Sequence, residues 1–423
     1  MKVGIYTLGC KVNSYESEYV ANLFKDHGYE IVPFSEYADI YVINTCTVTN
    51  NSDSKSRKII REAIRNNNHA CIVAMGCFIE SSKDSLIDGI NIAIGNKDKS
   101  KIEELVEEYL KNHTNINHIL PLDKDFEDMF IDTFGAKTRA FVKIQDGCEN
   151  YCTYCIIPYV RGKCRSKKLE TVISEITSLV NNGYKEIVLT GIHTGSYGVD
   201  IGVSFATLLE EIIKIPNLYR LRISSIEVTE LNSNVLDVIK NSKIICDHLH
   251  IPLQAGSNEI LKLMNRKYDL NFFKNKIKEI RSIRPDISIT TDIIVGFPGE
   301  TEELFLETIN NSKEIAFSKI HVFPYSERKG TPSEKFPGKV DVHERKNRSR
   351  RLIEVSEELE KEYMKRFIGK KFDVLIERYK DGYSYGHSSN YIEFKIKGCY
   401  NKEEVVEVEI MDVKYPYAIG ERV

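Results

Sequence analysis

Three cysteines, Cys148, Cys152 and Cys155, lie within eight residues of one another. They follow the stretch RAFVKIQDG, whose apolar residues are typical of a buried strand, so the thiols belong to a loop just past its end. Three thiolates at this spacing can bind three irons of a cubane iron–sulfur cluster and leave the fourth iron open. An open iron accepts an amino-carboxylate chelator, which is how S-adenosylmethionine is held and reductively cleaved. Zinc is the alternative, but structural zinc normally needs four ligands, and no second CxxC pair is present.

A second set of cysteines is scattered through the first eighty residues. Cys10 ends the predicted strand VGIYTLGC, Cys46 ends IYVINTC and Cys77 ends IVAMGC. In a parallel sheet all carboxyl ends lie along one edge, where open α/β sheets bind ligands. We therefore expect these thiols to converge and hold a second cluster with an open iron; packing as small core residues is the alternative.

The other cysteines have positions that favour packing. Cys71 begins its predicted strand, so it belongs at the opposite edge of the sheet, about 20 Å away at ~3.3 Å per residue. Cys164, Cys246 and Cys399 have no partners at a ligand-like spacing, and we interpret them as packed thiols.

The elements that position these thiols alternate between strand and helix, which predicts an α/β protein. Residues 1–115 are expected to form a parallel open α/β sheet, followed by an acidic linker over 116–137 that includes Asp123. Six βα-type repeats over 138–340 are too few for a closed eight-stranded barrel and predict a partial (β/α)6 barrel. A charged connecting helix over 341–366 precedes a small antiparallel, OB-like β domain over 367–423.

Composition is that of an ordinary folded protein. The chain has 423 residues, enough for about three domains, with 42% hydrophobic and 29% charged residues. A net charge of −3 excludes a generic polycation that coats nucleic acid. No apolar run reaches the length of a membrane span and no secretory signal is present, so we expect a cytoplasmic protein with reduced thiols.

Together these motifs resemble the radical S-adenosylmethionine methylthiotransferase family over essentially the whole chain. The CxxxCxxC motif, with Tyr154 before its last cysteine, is similar to that family's radical signature. Cys10, Cys46 and Cys77 resemble its auxiliary-cluster ligands, and residues 367–423 resemble its RNA-binding TRAM domain. The strings LGCKVN and NTCTVTN resemble the MtaB branch, which modifies N6-threonylcarbamoyladenosine in tRNA, more than GCQMN of the isopentenyladenosine branch or GCPKN of the ribosomal-protein branch.

The resemblance implies two [4Fe-4S] clusters and two uses of S-adenosylmethionine. One molecule donates its methyl group to a sulfur on the auxiliary cluster, and the other yields a 5′-deoxyadenosyl radical that removes hydrogen from carbon 2 of the adenine, next to the anticodon at position 37. Implied partners are tRNA, an electron donor such as flavodoxin or ferredoxin, and a donor of sulfur or clusters. The alternatives are the same chemistry on isopentenyladenosine or a ribosomal protein, or a non-catalytic iron–sulfur protein that binds RNA or carries electrons.

Residues that contact S-adenosylmethionine are less explicit in the sequence. Gly191, after the second barrel strand, resembles the family's glycine motif, while Ser224 and Ser225 end the strand RLRISS and could bind the ribose. The backbone of Tyr154 could lie near the adenine. Ordinary loop roles are the alternative for each.

Three basic clusters stand out against the net acidity and suggest contact with RNA; a solvated surface is the alternative. They comprise Lys55, Arg57, Lys58, Arg61 and Arg65; Arg161, Lys163, Arg165, Lys167 and Lys168; and Arg345, Lys346, Arg348, Arg350 and Arg351. In the first cluster, Lys55, Arg57 and Arg61 are also predicted to bind the carboxylate of the threonylcarbamoyl group, because Arg pairs with carboxylates through two parallel hydrogen bonds.

Overall fold

The structure, a computed structural model, describes residues 1–83, 85–122, 124–135 and 138–423. Asp123, which the sequence analysis assigns to the linker, and residues 136–137 at the linker's end lie outside these described ranges. Among the described residues, no helix is both long enough and apolar enough to cross a membrane.

The N-terminal domain is a six-stranded, wholly parallel sheet in the order β2-β1-β3-β4-β5-β6. Helices α1 and α4 cover one face and α2 covers the other. The elements are β1 (Lys2–Thr7), α1 (Lys11–Asp26), β2 (Glu30–Val32), β3 (Ile40–Thr45), α2 (Asn50–Asn66), β4 (Cys71–Gly76), α3 (Cys77–Ser81), β5 (Ile92–Ile94), α4 (Ile102–Asn112) and β6 (Ile116–His118).

Two strands of this sheet differ from the sequence-based prediction. Strand β2 was not predicted, and β6 occupies the first residues of the segment predicted as a linker over 116–137. Both strands have three residues, which is too short for a periodic pattern to distinguish them from a loop. The linker therefore begins after His118.

The central domain contains six parallel strands in chain order, β7, β10, β11, β12, β13 and β14. Isolated parallel bridges join its two three-stranded halves, so the strands form a partial barrel. Its elements are β7 (Arg139–Lys143), β8 (Gln145–Asp146), α5 (Ile157–Arg161), β9 (Arg165–Ser166), α6 (Leu169–Asn181), β10 (Glu186–Thr190), α7 (Phe205–Ile212), β11 (Arg220–Ile223), α8 (Ser233–Asn241), β12 (His248–His250), α9 (Asn258–Leu263), α10 (Leu270–Ile283), β13 (Ser288–Val295), α11 (Glu302–Ile315) and β14 (Lys319–Pro324).

A long helix, α12 (Val342–Lys365), leads from the partial barrel to a closed five-stranded β barrel. Its strands are β15 (Lys371–Lys380), β16 (Tyr383–Ser388), β17 (Glu393–Lys397), β18 (Val405–Lys414) and β19 (Tyr417–Arg422). Four pairings are antiparallel, and one parallel pairing, between β17 and β19, completes the barrel. The predicted fold class, α/β with a small antiparallel β domain at the end of the chain, is confirmed.

The small β barrel closes the end of the partial barrel at which the strands begin. Glu186, on β10, accepts from Arg222 Nε at 2.7 Å and pairs with Arg139. Burial alone would raise the pKa of this carboxyl, but Arg222 and Arg139 outweigh it and hold the pKa at about 2. Arg139 also pairs with Glu377 of the small barrel, and the guanidinium of Arg222 lies 4.5 Å from the ring centre of Tyr391. The two barrels are thus joined through a buried ionic cluster.

Candidate cluster and substrate site

The CxxxCxxC cysteines lie in the loop between β8 and α5, at the mouth of the partial barrel formed by the carboxyl ends of its strands. The loop is tight: Cys148 N–H donates to the carbonyl of Gly162 at 3.0 Å, and Cys155 N–H donates to the carbonyl of Cys152 at 2.9 Å. Gly147 has φ +77, and a Cβ there would lie 1.9 Å from the carbonyl oxygen of Lys163. Only glycine therefore lets the chain enter this loop.

The structure brings Cys10, Cys46 and Cys77 to one edge of the N-terminal sheet. The residues before Cys46 and Cys77 are register partners on β3 and β4, so these two thiols leave adjacent strand ends. A Cβ at Gly9, which has φ +97, would lie 3.0 Å from the sulfur of Cys46, so the loop carrying Cys10 passes directly against it. Cys71 begins β4 at the opposite edge, as the sequence predicts.

The two triads face each other across the domain interface. Cys77 packs against Ile156, the residue after Cys155, and against Val160 on α5. The edge of the sheet and the mouth of the partial barrel, each carrying three thiols, thus open onto the same space.

Arg161, the last residue of α5, joins the two triads and is completely buried. Its Nε donates to Cys77 Sγ at 3.2 Å, and its terminal nitrogens donate to Asn13 at 2.7 Å, Glu16 at 3.0 Å and Asp146 at 3.1 Å. The guanidinium therefore connects α1, which follows Cys10, the first residue of α3, which is Cys77, and β8, which precedes Cys148.

Two lysines complete this buried network. Lys143 lies 3.0 Å from Glu16 and 2.7 Å from Asp146, and Lys99 lies 2.6 Å from Glu16. Burial alone would raise the pKa of both carboxyls, but the surrounding cations outweigh it and hold each well below its usual value. Both carboxyls are therefore ionised at neutral pH, and Arg161 and Lys143 pair with them next to the thiol of Cys77.

Arg266 takes a related position beside the CxxxCxxC loop. Its NH1 donates to Cys152 Sγ at 3.4 Å, and its NH2 pairs with Glu227. This contact orients the sulfur of Cys152. Sequence spacing gave no signal for this residue.

Both triads fit iron–sulfur clusters better than single ions. All six thiols are free, and each triad has a cationic side chain donating to one sulfur. Across the described ranges, no group of three His, Cys, Asp or Glu side chains is close enough to hold one metal ion. In a cubane cluster each thiolate binds a different iron, and each triad offers three thiols for such binding.

The residues predicted to contact S-adenosylmethionine lie around the mouth of the partial barrel. Gly191 follows β10, and a Cβ there would lie 3.0 Å from Gln145 Oε1. Ser224 is buried, with its hydroxyl 3.1 Å from that of Thr194, whereas Ser225 is exposed. Tyr154 lies across the mouth from them, with its ring edge-to-face against Phe297.

Tyr154 lines a cavity of about 220 Å³ between the domains. Thr49, from the loop after Cys46, forms one wall; Gln254, Asp292 and Tyr325, from the barrel mouth, form others. The cavity thus lies between the strand ends that carry the two triads.

Lys55, Arg57 and Arg61 are all exposed on α2. The guanidinium of Arg57 lies 4.8 Å from the ring centre of Phe78, the residue after Cys77. The first residues of α2 are tied to the partial barrel, because Arg328 donates to Asn50 at 3.0 Å. This basic face therefore borders the site from outside rather than lining it.

The other two basic clusters were also predicted to contact RNA, but several of their side chains are buried and cannot reach it. In the second, Arg161, Arg165 and Lys167 are buried in ion pairs. In the third, Arg345 and Arg348 are buried against Glu327 and Glu300. The sequence shows that basic residues are clustered, but it does not show which of their side chains are buried.

Comparisons with known proteins agree with this geometry. Residues 2–94 match the family described as "Uncharacterized protein family UPF0004", and residues 142–311 match the Radical SAM superfamily. The chain is 43% identical over 431 residues to the threonylcarbamoyladenosine tRNA methylthiotransferase MtaB of Bacillus subtilis, covering 99% of this chain and 96% of the relative. The MtaB of Thermotoga maritima is 39% identical, covering 94% and 91%.

A relative with a different named substrate is also similar. The tRNA-2-methylthio-N(6)-dimethylallyladenosine synthase of Acetivibrio thermocellus is 34% identical over 88% of this chain and 79% of its own. Among solved structures, the radical S-adenosylmethionine methyltransferase TsrM of Kitasatospora setae superposes with a TM-score of 0.58 at 15% identity, covering 78% of this chain and 76% of that one. This last likeness concerns the fold alone.

Proposed function

The chain belongs to the radical S-adenosylmethionine methylthiotransferase family and acts on tRNA, and from this premise we propose that it methylthiolates carbon 2 of N6-threonylcarbamoyladenosine at position 37. The observation that carries the proposal is the meeting of two cysteine triads in one interdomain space. Relatives named for threonylcarbamoyladenosine that match along nearly the whole chain support the substrate.

Cys148, Cys152 and Cys155 would hold one [4Fe-4S] cluster, and Cys10, Cys46 and Cys77 the other. When bound with S-adenosylmethionine, these groups supply a carbon radical that can remove hydrogen from an aromatic carbon and a sulfur that can be methylated and transferred. An aromatic C–H is not acidic enough for a general base, so removal of this hydrogen requires a radical.

The chain's residues have binding and positioning roles. Arg161 and Arg266 each hold one cysteine by donating to its sulfur, so that the thiol keeps its orientation. Tyr154, Gly191, Ser224 and Ser225 surround the barrel mouth, where S-adenosylmethionine would bind. The target base would leave its stack to enter the cavity between the triads, as enzymes acting on bases require.

We propose that other parts of the chain bind the tRNA and that separate donors supply electrons and sulfur. Lys55, Arg57 and Arg61 would contact the substrate, and the small β barrel of β15–β19 would add affinity for RNA. Reductive cleavage consumes an electron, so a donor such as flavodoxin or ferredoxin is required. Each turnover also consumes a sulfur atom, so a sulfur or cluster donor is required. A tRNA substrate implies a cytoplasmic site of action.

The test is nucleoside mass spectrometry of tRNA from cells with and without the gene. Loss of 2-methylthio-N6-threonylcarbamoyladenosine, with its precursor accumulating, is the expected result. Loss of the methylthio group from the isopentenyl nucleoside instead would favour the second candidate substrate, which the Acetivibrio relative represents. No change in either nucleoside would contradict both, and the ribosomal-protein substrate would be tested next.

A further inference from the structure

We propose that Lys11 binds the carboxylate of the threonylcarbamoyl group, inside a cavity enclosed by the partial barrel. The inference rests on the proposed function and assigns the residue that distinguishes this substrate from an adenosine without the acidic group. It differs from the sequence-based assignment of that role to Lys55, Arg57 and Arg61, all of which face outward from α2.

The cavity has a volume of about 340 Å³ and fills the interior of the partial barrel. Lys11 enters it from the N-terminal domain, Ser224 and His250 line it near the mouth, and Tyr391 of the small β barrel closes its far end. A volume of this size holds roughly ten waters at ~30 Å³ each, so a substituent with a carboxylate and a hydroxyl fits together with some water.

Lys11 is a cation in this cavity that no side chain contacts directly. Its ammonium makes no ion pair or hydrogen bond with any of the described residues. Burial lowers its pKa, Arg222 and Arg139 lower it further, and Asp292 offsets them only in part, so a bound carboxylate would stabilise the ammonium. By contrast, Lys319 lies 3.0 Å from Glu360, and Arg222 is held by Glu186. A cation surrounded by protein and lacking a partner is a binding position for one negative charge.

The neighbouring imidazoles of His248 and His250 can form hydrogen bonds in the same cavity. His248 Nε2 and His250 Nδ1 lie 3.0 and 2.9 Å from the hydroxyl of Thr290. Burial lowers the pKa of His248 well below its usual value, and burial also lowers that of His321, so both are neutral at neutral pH. The site therefore places the unpaired ammonium of Lys11 beside neutral polar groups such as the Thr290 hydroxyl, which suits a ligand with one carboxylate and an uncharged hydroxyl.

The position of Lys11 also suits the geometry of the reaction. It directly follows Cys10, a proposed ligand of the auxiliary cluster, so a group held by Lys11 stays close to the sulfur source. His250 Nε2 lies 3.3 Å from Asp292, and Asp292 lines the cavity that contains Tyr154. The two cavities thus adjoin, and a base placed between the triads has the barrel interior as the nearest space for its N6 substituent.

The experiment measures binding of anticodon stem-loop RNA to the reconstituted enzyme. Three RNAs are compared, which carry at position 37 threonylcarbamoyladenosine, its methyl ester or plain adenosine. For the unaltered enzyme we expect the acid to bind about tenfold or more tightly than the ester, since a charge-assisted contact in a protected site has that magnitude. Lys11→Met is expected to bind acid and ester equally, and Lys11→Arg to restore part of the difference.

Lys214→Met is the matched control, because Lys214 is exposed at the surface, outside both cavities, and pairs with Glu211. Its preference for the acid should equal that of the unaltered enzyme. If Lys11→Met keeps the full preference, or if it instead raises the KM for S-adenosylmethionine with that preference intact, the assignment of Lys11 is wrong. If the unaltered enzyme neither prefers nor modifies the threonylcarbamoyl RNA, the proposed function itself fails, which is a separate outcome.

Discussion

Replacing Arg161 with methionine tests whether the interface between the two triads depends on one buried guanidinium. Methionine keeps an unbranched apolar side chain but removes hydrogen bonds to four side chains, those of Cys77, Asn13, Glu16 and Asp146. Removing one partner from a buried ionic network costs about 3–5 kcal/mol.

The expected loss lies at the lower end of that range because both carboxylates keep a second cation. Lys143 stays 3.0 Å from Glu16 and 2.7 Å from Asp146 after the substitution. A loss of about 3 kcal/mol corresponds to a decrease in Tm of about 6–12 °C for a cooperative unit the size of the partial barrel. Arg161→Lys should fall between, because one ammonium cannot reach all four partners.

The assay is thermal unfolding of the cluster-free protein, followed by circular dichroism, with iron and sulfide content of the reconstituted protein as a second readout. Lys163→Met is the control, since Lys163 is exposed two residues further along the chain, and its Tm should change little. A difference of about 2 °C in Tm corresponds to 1 kcal/mol or less. If Arg161→Met melts within about 1–2 °C of the control, the buried network does not hold the domains together and the reasoning is refuted.

Three further outcomes follow from the structure. Gly147→Ala places a Cβ 1.9 Å from a backbone carbonyl oxygen, so reconstituted protein should lose about half of its iron while the N-terminal cluster stays loaded; full iron content would contradict the loop argument. The depressed pKa of Glu186 stabilises the fold above about pH 4.5, and that contribution, about 3 kcal/mol, is lost as the pH falls towards 2. Urea titrations of cluster-free Glu186→Gln should show lower stability at pH 7 and a flatter acid dependence, whereas equal pH slopes would exclude this ion cluster as the cause. Replacing Lys55, Arg57 and Arg61 with alanine should weaken tRNA binding and reduce the slope of log affinity against log salt by about two to three, and an unchanged slope would mean that this face does not contact phosphates.

Several features of the protein could be predicted from the sequence because they depend on local order along the chain. The CxxxCxxC spacing fixes three thiols in one loop whatever surrounds them. The positions of Cys10, Cys46 and Cys77 after apolar strands, and of Cys71 before one, determine the edge to which each belongs, because all strands of a parallel sheet point the same way. The six βα repeats likewise predicted the partial barrel.

The tertiary structure decided which charges face inward. Arg161 and Lys167 lie in one basic run of the sequence, yet both are buried, Arg161 against Glu16 from the distant helix α1 and Lys167 against Glu175 on the next helix, α6. Lys11 is a single lysine beside a cysteine in the sequence. It reaches the interior of the partial barrel because the N-terminal domain packs against the mouth of that barrel. Whether a charge is paired depends on residues that folding brings next to it, and the local sequence pattern does not identify those residues.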